Sequence, residues 1–519
     1  MLVLIILVAA VLRLVFLGSY PVSLGVDEVS IGYNAYSLLK TGLDQYQKPL
    51  PLVFTSLGDF KPPVYIYLTT ASEAVFGLNE FAVRFPAAFF GVISVYVVFL
   101  ISKRLTGSTN VALITSLVFA ISPWHLRLSR GAYEATVSLT LMLIGFYYFL
   151  DLKHVSLSLV IFILAIHTYH APKVFVPLFL AGLGLIYFTR LWSDKRRFLP
   201  ALVTGFLLFI PTLWLSFAAG GQTRVLQTFI AGDSDLIRTL NQTVVHPIFN
   251  RNWLIFSSII NHYLQYFDPT HLFFHGLDLS RGQILDLGVG YLIELPFFIT
   301  GLFYMIIAGR SVISDPRFRK AFWIWTFLSP LPASFTLNQY HIIRSLPFVL
   351  SMSFFVAIGL YQLHRRFTRL GFLTIFGYGI CVVFLIDYFV IHSPMQKSDY
   401  SFDPLKQVTQ VALKNQSLYS QIIIDPQFGK DGPYLVGIPD VYLLFYGKIH
   451  PRTYWQSRTT EGFSNFAFRH IEWTIDKGLS DTLLIGSPWS LPQKDIDPFQ
   501  IQQVIPFYNQ QPAYYVVKT

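Results

Sequence analysis

Charge is what this chain has least of. Asp, Glu, Lys and Arg make up 13% of its 519 residues, against about 25% in a soluble globular protein. A fully water-exposed exterior is therefore excluded, and 53% hydrophobic with 17% aromatic residues places the chain in the polytopic membrane class. Cysteine is almost absent. Cys381 stands alone inside an apolar run, so no intrachain disulfide can form. The first residues lack a basic n-region and a small-residue cleavage site, which reads as a retained first span over 1–17. No fixed-period repeat stands out. The net charge of +10 lies largely in short loops and is no footprint of nucleic-acid binding.

What is present is a series of apolar runs long enough to cross a bilayer, roughly 17–25 residues each. They fall near 1–17, 82–101, 109–123, 136–150, 155–169, 174–190, 199–217, 288–309, 320–337, 345–363 and 370–391, which predicts about eleven spans. With the N-terminus inside, the short inner loops hold fourteen Lys and Arg, and the short outer loops hold four: Arg127, Arg130, Lys173 and Arg344. That bias predicts an N-in, C-out arrangement in a cell membrane. Beyond about 392 polarity rises and prolines punctuate short strand-like runs at Gln421–Ile424, Tyr442–Phe445, Thr482–Ile485 and Tyr514–Val517. The expected organisation is an all-α membrane domain over 1–391 and a small soluble, extracytoplasmic α/β domain over 392–519.

Two outer segments, 18–81 and 218–287, are too long for turns, and long ordered loops are usually functional. Tyr33, Tyr36 and Leu39, and likewise Trp253, Phe256 and Ile260, recur at helical spacing and predict helices lying in the interface. The first segment carries adjacent carboxylates, Asp27 and Glu28, just past the first span. An ionised Asp at the bilayer centre costs roughly 2.5–3.5 kcal/mol, so the pair belongs at a surface or in a wet cavity. A carboxylate there can take a proton from a hydroxyl nucleophile, or it can cap the interfacial helix. Asp59-Phe60-Lys61-Pro62-Pro63 follows. Its prolines keep Lys61 out of a regular helix, and a fixed ammonium suits a phosphate oxygen or a membrane-boundary anchor.

Two further clusters face the same side. Ser122–Ala135 carries Trp124, His125, Arg127, Arg130, Tyr133 and Glu134, with two arginines spaced to share a helical face as an anion clamp. Asn338–Arg344 places His341 and Arg344 three apart, both able to donate to phosphate. His167, His170 and Lys173 form a weaker group. Glu294 and Asp387 sit inside apolar runs, where a carboxylate is a functional hypothesis by default. The sequons at Asn241 and Asn415 face outward.

These motifs, in this order and on one membrane face, resemble the polyprenyl-phosphate-sugar-dependent glycosyltransferases of the GT-C fold. That group includes protein O-mannosyltransferases, lipid A aminoarabinose transferase and bacterial relatives. The resemblance covers roughly 1–390. It rests on Asp27-Glu28, on Lys61-Pro62-Pro63, on Phe81-Ala82-Val83-Arg84-Phe85-Pro86, on Glu134 where relatives usually have Asp, and on His341-Ile342-Ile343-Arg344. It implies a GT-C-like fold and a sugar transfer that inverts the anomeric carbon, from a polyprenyl-phosphate donor to a protein, lipid or glycan acceptor. Carried over residue by residue, Asp27 is the catalytic candidate, supported by Glu28 and Glu134. Lys61, Arg84, Arg127, Arg130, His341 and Arg344 are the donor-phosphate candidates. Asp59, Tyr33, Trp124 and Tyr133 are the substrate-binding candidates. A divalent cation near Asp27 and Glu28 is left open, with no ligand set that defines it. No Gly-rich phosphate loop opens a helix, which disfavours a nucleotide-sugar donor. The rival class is a transporter or flippase of lipid-linked sugars, favoured by Glu294 and Asp387. It is disfavoured by polar clusters in loops rather than at the midplane.

Overall fold

The computed structural model describes residues 1–56, 59–193, 195, 199–200, 203–207, 209–210, 229–232, 238, 250–274, 287–337, 340–367, 370–396, 398, 401–429 and 431–519. It divides into two compact units. The first holds Met1–Val15, Val53–Tyr65 and Ala87–Phe384; the second holds Phe16–Leu52, Ile66–Pro86 and Leu385–Thr519. The sequence boundary at 391/392 counts the whole first loop with the membrane domain. Packing instead groups most of that loop with the C-terminal residues.

The membrane unit is helical. Its main elements are α1 (Leu2–Leu14), α5 (Thr109–Ile121), α6 (Pro123–Ser129), α7 (Glu134–Asp151), α8 (Val155–Ile166), α9 (Pro172–Ser193), α10 (Arg251–Gln265), α11 (Leu295–Val312), α12 (Pro316–Leu328) and α13 (Phe348–Arg366). Most of α4 (Glu80–Thr106) and α14 (Leu370–Asp387) belongs here as well. Local chemistry sets the ends. Ser108 accepts the Val111 N–H at the start of α5, and Ser122 with Pro123 at the first helical position opens α6. Asp315 caps α12 the same way, accepting from Arg317 N–H with Pro316 next. The core gathers around Trp325 of α12. Its ring stacks on Phe146 of α7, meets Phe175 and Phe179 of α9 edge-on, and donates from Nε1 to the Pro347 carbonyl. Close approach of α11 to α13 depends on two glycines. A Cβ on Gly301 would collide with the Phe355 carbonyl, and one on Gly359 with the Phe297 carbonyl.

Among the described residues, five helical segments are long and apolar enough to cross a membrane: Glu80–Thr106, Pro172–Ser193, Leu292–Val312, Phe348–Arg366 and Gly371–Met395. A sixth arises if α5 and α6, bent by 57°, count as one. Leu2–Leu14 and Val155–Ile166 are apolar but shorter. The expected count of eleven is thus not reached among the described residues, and the expected span at 199–217 falls largely outside them. So does most of 218–287, though Trp253, Phe256 and Ile260 do lie on a helix, α10, with exposed side chains.

The second unit contains α2 (Val26–Thr41) and a six-stranded sheet. The strands are β3 (Gln421–Ile424), β4 (Gly462–Phe463), β5 (Phe466–Phe468), β6 (Thr482–Gly486), β7 (Ile501–Pro506) and β8 (Pro512–Lys518). Their order is β4-β5-β3-β6-β8-β7, parallel across β5-β3-β6 and antiparallel toward both edges. The centre is buried on β3 and β6, as expected for near-continuous apolar runs such as Ile422–Ile424 and Leu483–Ile485. Three of the four strand-like runs are strands. The fourth, Tyr442–Phe445, lies in a helix, α16 (Pro439–Tyr446). A four-residue apolar run carries no period that separates strand from helix. Here Pro439 starts a helix whose residues Val441–Phe445 are buried, with the Tyr442 hydroxyl donating to the Leu24 carbonyl.

Candidate active site

In the second unit the acid pair stands on the first turn of α2, and the helix sends its two members different ways. Successive residues are about 100° apart around a helix, so Asp27 is exposed while Glu28 is partly buried. Glu28 caps the helix: its Oε2 accepts the Gly25 N–H at 2.8 Å from the third helical position. Glu28 also receives Arg84, with Nε to Oε1 at 3.1 Å and Nη2 to Oε2 at 3.3 Å. Arg84 is fully buried and donates in addition to the carbonyls of Leu17, Pro21 and Ser23. Its five N–H donors thus meet five acceptors, and its guanidinium holds the 17–23 loop and Glu28 in place. The expectation that Arg84 binds donor phosphate meets a side chain whose donors are already committed. Tyr33, expected on substrate, is fully buried, with its hydroxyl on the Ile449 carbonyl at 3.1 Å and its ring edge-on to Tyr454. Burial holds that phenol well above its ordinary pKa.

In the membrane unit the Lys-Pro-Pro segment ends a hairpin of β1 (Phe54–Ser56) and β2 (Asp59–Lys61), in which Lys61 pairs with Phe54. Asp59 pairs with Ser56 through the backbone. The His170 ring donates from Nε2 to the Phe60 carbonyl at 3.0 Å, and Val64 N–H donates to the His167 carbonyl. The histidine turn noted in the sequence therefore clamps the hairpin. So held, Lys61 is 7% exposed, and its ammonium lies 3.7 Å from Glu134 Oε1, on the first turn of α7. A buried ammonium needs an opposite charge, and Glu134 supplies it. A phosphate oxygen arriving at Lys61 would compete with, or bridge to, a carboxylate already there.

The arginine cluster is divided. Arg130 follows α6 and donates to the Leu12 carbonyl at 2.7 Å and the Val15 carbonyl at 3.0 Å. It satisfies carbonyls that the end of α1 leaves without intrahelical partners. Arg127, on the last turn of α6, is partly buried. Trp124 is 2% exposed and its indole donates to the Ile342 carbonyl at 2.9 Å, which pins α6 to the His341–Arg344 segment. The His341 N–H donates to the Tyr266 hydroxyl at 2.8 Å. Arg344, Ala135 and Tyr169 line one small cavity of about 10 Å³, room for about one water. That cavity brings Arg344 beside the residues next to Glu134 and His170. Tyr133, partly buried, precedes Glu134 as the helix N-cap. Among the described residues no three His, Cys, Asp or Glu side chains gather as metal ligands. The divalent cation left open at Asp27 and Glu28 would have to draw Glu28 away from Arg84.

One network escaped the sequence reading. Arg13 of α1 is fully buried and donates to the carbonyls of Ala9 and Ala120 and to His125 Nδ1 at 2.8 Å. Because arginine only donates, Nδ1 is the acceptor, and the ring N–H sits on Nε2 facing Ser94 Oγ at 3.2 Å. Ser94 in turn donates to the Gly91 carbonyl at 2.7 Å. A Cβ on Gly91 would press on the Arg13 side chain, so the glycine makes its room. His125 is thus a buried relay in the packing of α1. The signal was a lone arginine inside an apolar run. Glu294 is also accounted for: it accepts from Tyr378 hydroxyl and Tyr291 N–H at the start of α11.

These elements define a multi-pass membrane protein with a GT-C-like helical fold and a sheet-containing C-terminal part. Residues 60–215 match the family described as dolichyl-phosphate-mannose-protein mannosyltransferase, a stretch that contains Lys61, Arg84, Arg127, Arg130 and Glu134. Among solved structures the chain is similar to ArnT from Cupriavidus metallidurans bound to undecaprenyl phosphate. That match has a TM-score of 0.54 and 14% identity, covering 99% of this chain and 97% of the other. The oligosaccharyltransferase of Archaeoglobus fulgidus, in complex with Zn and sulfate, matches at TM-score 0.48 and 12% identity, over 86% of this chain and 61% of that one. An uncharacterised protein of Aquifex aeolicus is 36% identical over 62 residues, a stretch that spans 12% of this chain and only 12% of that relative's own length. The chain resembles the GT-C glycosyltransferases in sequence and shares their fold.

Proposed function

We propose that this chain is an integral-membrane glycosyltransferase that moves a sugar from a polyprenyl-phosphate-linked donor to a protein, lipid or glycan acceptor on the outer face of the membrane. The observation that carries the reading is the buried Lys61–Glu134 pair, with the ammonium fixed by a hairpin and two prolines. Both partners fall inside the stretch that matches the mannosyltransferase family. Lys61, Arg127, His341 and Arg344 are assigned to the donor phosphate, and Arg130 to the same group through the helix end it holds. Arg84 is assigned to holding Glu28. In the transfer the acceptor oxygen forms a bond to the anomeric carbon from the face opposite the phosphate. The bond from that carbon to the phosphate oxygen breaks, and the lipid phosphate leaves with the electron pair. The configuration inverts. Asp27, exposed on α2, takes the acceptor's proton. Preplaced cations stabilise the charge that develops on the leaving phosphate. The donor class is supported by the likeness to ArnT, a protein whose structure holds undecaprenyl phosphate.

The test is mass analysis of lipid, glycan and protein from membranes with and without the gene, together with a Lys61→Ala strain. One sugar missing from the same acceptor in both the deletion and the Lys61→Ala strain is the expected result. Full modification in the Lys61→Ala strain, at normal protein level, would remove Lys61 from the donor site.

A further inference from the structure

A second basic feature uses arginines outside the proposed donor set. Helices α11 and α12 both pack on α13 and leave a groove of about 660 Å³ between them. Its floor carries Phe348 and Phe355, and its walls Leu302, Ile306, Trp323 and Phe327. At one end stand Arg310, in the last turn of α11, and Arg319, near the start of α12. Neither meets a carboxylate among the described residues; Asp315, the nearest acid in sequence, pairs with Arg317. Arg319 gives one donor to the Ile313 carbonyl at 3.0 Å, and Arg310 is exposed. The outer rim is apolar and open: Ile306 and Ile307 are 65% and 68% exposed.

From Phe298 to Arg310 the groove follows α11 for thirteen residues, twelve steps or about 18 Å at helical rise. One leaflet of hydrocarbon is about 15 Å deep. An apolar channel one leaflet long, closed by two cations that meet no carboxylate among the described residues, matches an acyl chain with an anionic head. A polyprenyl chain is much longer than this channel. We infer that α11, α12 and α13 form a binding site for an anionic bilayer phospholipid, its phosphate on Arg310 and Arg319 and one acyl chain along Trp323 and Phe355. Every groove in a membrane protein meets lipid. The specific content here is head-group selection, since basic pockets between membrane helices recognise anionic heads.

Native mass spectrometry of the purified full chain, titrated with phosphatidylglycerol or phosphatidylcholine, tests this. At roughly 1 kcal/mol per basic residue, two arginines should favour the anionic lipid by about 30-fold. Arg310→Gln should cut the preference about 5-fold, and Arg310→Gln with Arg319→Gln should abolish it. The single variant carries the test if the double one fails to fold, because Arg319 also holds a carbonyl. Brominated phosphatidylglycerol should quench a fluorescence component that Trp323→Phe removes. Equal retention of both lipids, a preference that survives Arg310→Gln, or displacement of the phospholipid by an equal amount of polyprenyl phosphate would overturn the assignment.

Discussion

Glu28 and Asp27 are neighbours in sequence and opposites in setting, so their substitutions should separate. Removing Arg84 by Arg84→Ala leaves a partly buried carboxylate and three carbonyls without their donor. Breaking a buried pair in this way costs about 3–5 kcal/mol, and a thermal melt of the purified chain should show it. Arg84→Lys should rescue little, since one ammonium cannot meet five acceptors. Asp27→Asn should leave that melt unchanged, because Asp27 is exposed and a neutral Asn keeps its shape and caps as well as Asp. If Asp27 takes the acceptor's proton, turnover falls by about 10²–10⁴ with donor binding retained; transfer at the parental rate would leave it a surface acid. Glu73 gives a prediction of a different kind. It is 2% exposed, and both carboxyl oxygens lack a hydrogen-bond partner among the described residues. Burial pushes its pKa from 4.5 up to about 9. The folded state therefore holds a proton that the unfolded state releases above about pH 4.5, so stability falls as pH rises from there toward 9. Between 4.5 and 7 that amounts to about 3 kcal/mol. Glu73→Gln should flatten this slope in pH-dependent melts, and an unchanged slope would mean the carboxyl finds water.

At the scale of elements, α11 and α13 are held together by what they lack. Gly301 and Gly359 each face a carbonyl of the other helix, so Gly359→Ala must push the pair apart. Overpacking of this kind costs typically 1–3 kcal/mol, and the lowered melting temperature should be matched by Gly301→Ala. If Gly359→Ala melts as the parent does, the helices separate without cost. Element chemistry also decides what could be read beforehand. The helices at Tyr33–Leu39 and Trp253–Ile260 and three tail strands were legible, because amphipathic period and flanking turn residues are local. The Tyr442–Phe445 helix was not, since four apolar residues carry no period. The partners of Arg84 and Arg13 were not legible for a deeper reason: what a guanidinium bonds depends on carbonyls that only the fold delivers. For Arg84 these lie more than 60 residues back in the chain. Lys61 was legible as a fixed cation from its prolines, while its partner Glu134 and its clamp His170 were seen as separate clusters. Nothing in spacing joins residues 61, 134 and 170; the hairpin and the start of α7 do.

For the whole molecule, the open matter is which way it sits in the membrane, and charge supplies the argument. Fourteen lysines and arginines against four in the short loops favour a cytoplasmic N-terminus. With an odd number of crossings, the residues after α14 then lie outside. The proposed chemistry needs this sense, because Asp27, Lys61 and Glu134 all precede or follow spans on the sparsely charged side. Reporter fusions after Arg104 and Arg366 should read as cytoplasmic, and one after Gln396 as external. An independent readout uses the sequon Asn415-Gln416-Ser417, which closes α15 (Asp403–Asn415) in the tail. Expressed into microsomes, the chain should gain a glycan there that Asn415→Gln abolishes. The two readouts fail differently. A cytoplasmic signal after Gln396 with no glycan at Asn415 would mean that the number of crossings is even. It would place the whole sheet-containing tail on the cytoplasmic side, away from an outer-face acceptor. A reversed signal at every fusion would mean instead that the charge bias has been overridden. The lipid-facing arginines Arg310 and Arg319 would then mark the outer leaflet, and the face proposed for sugar transfer would turn toward the cytoplasm.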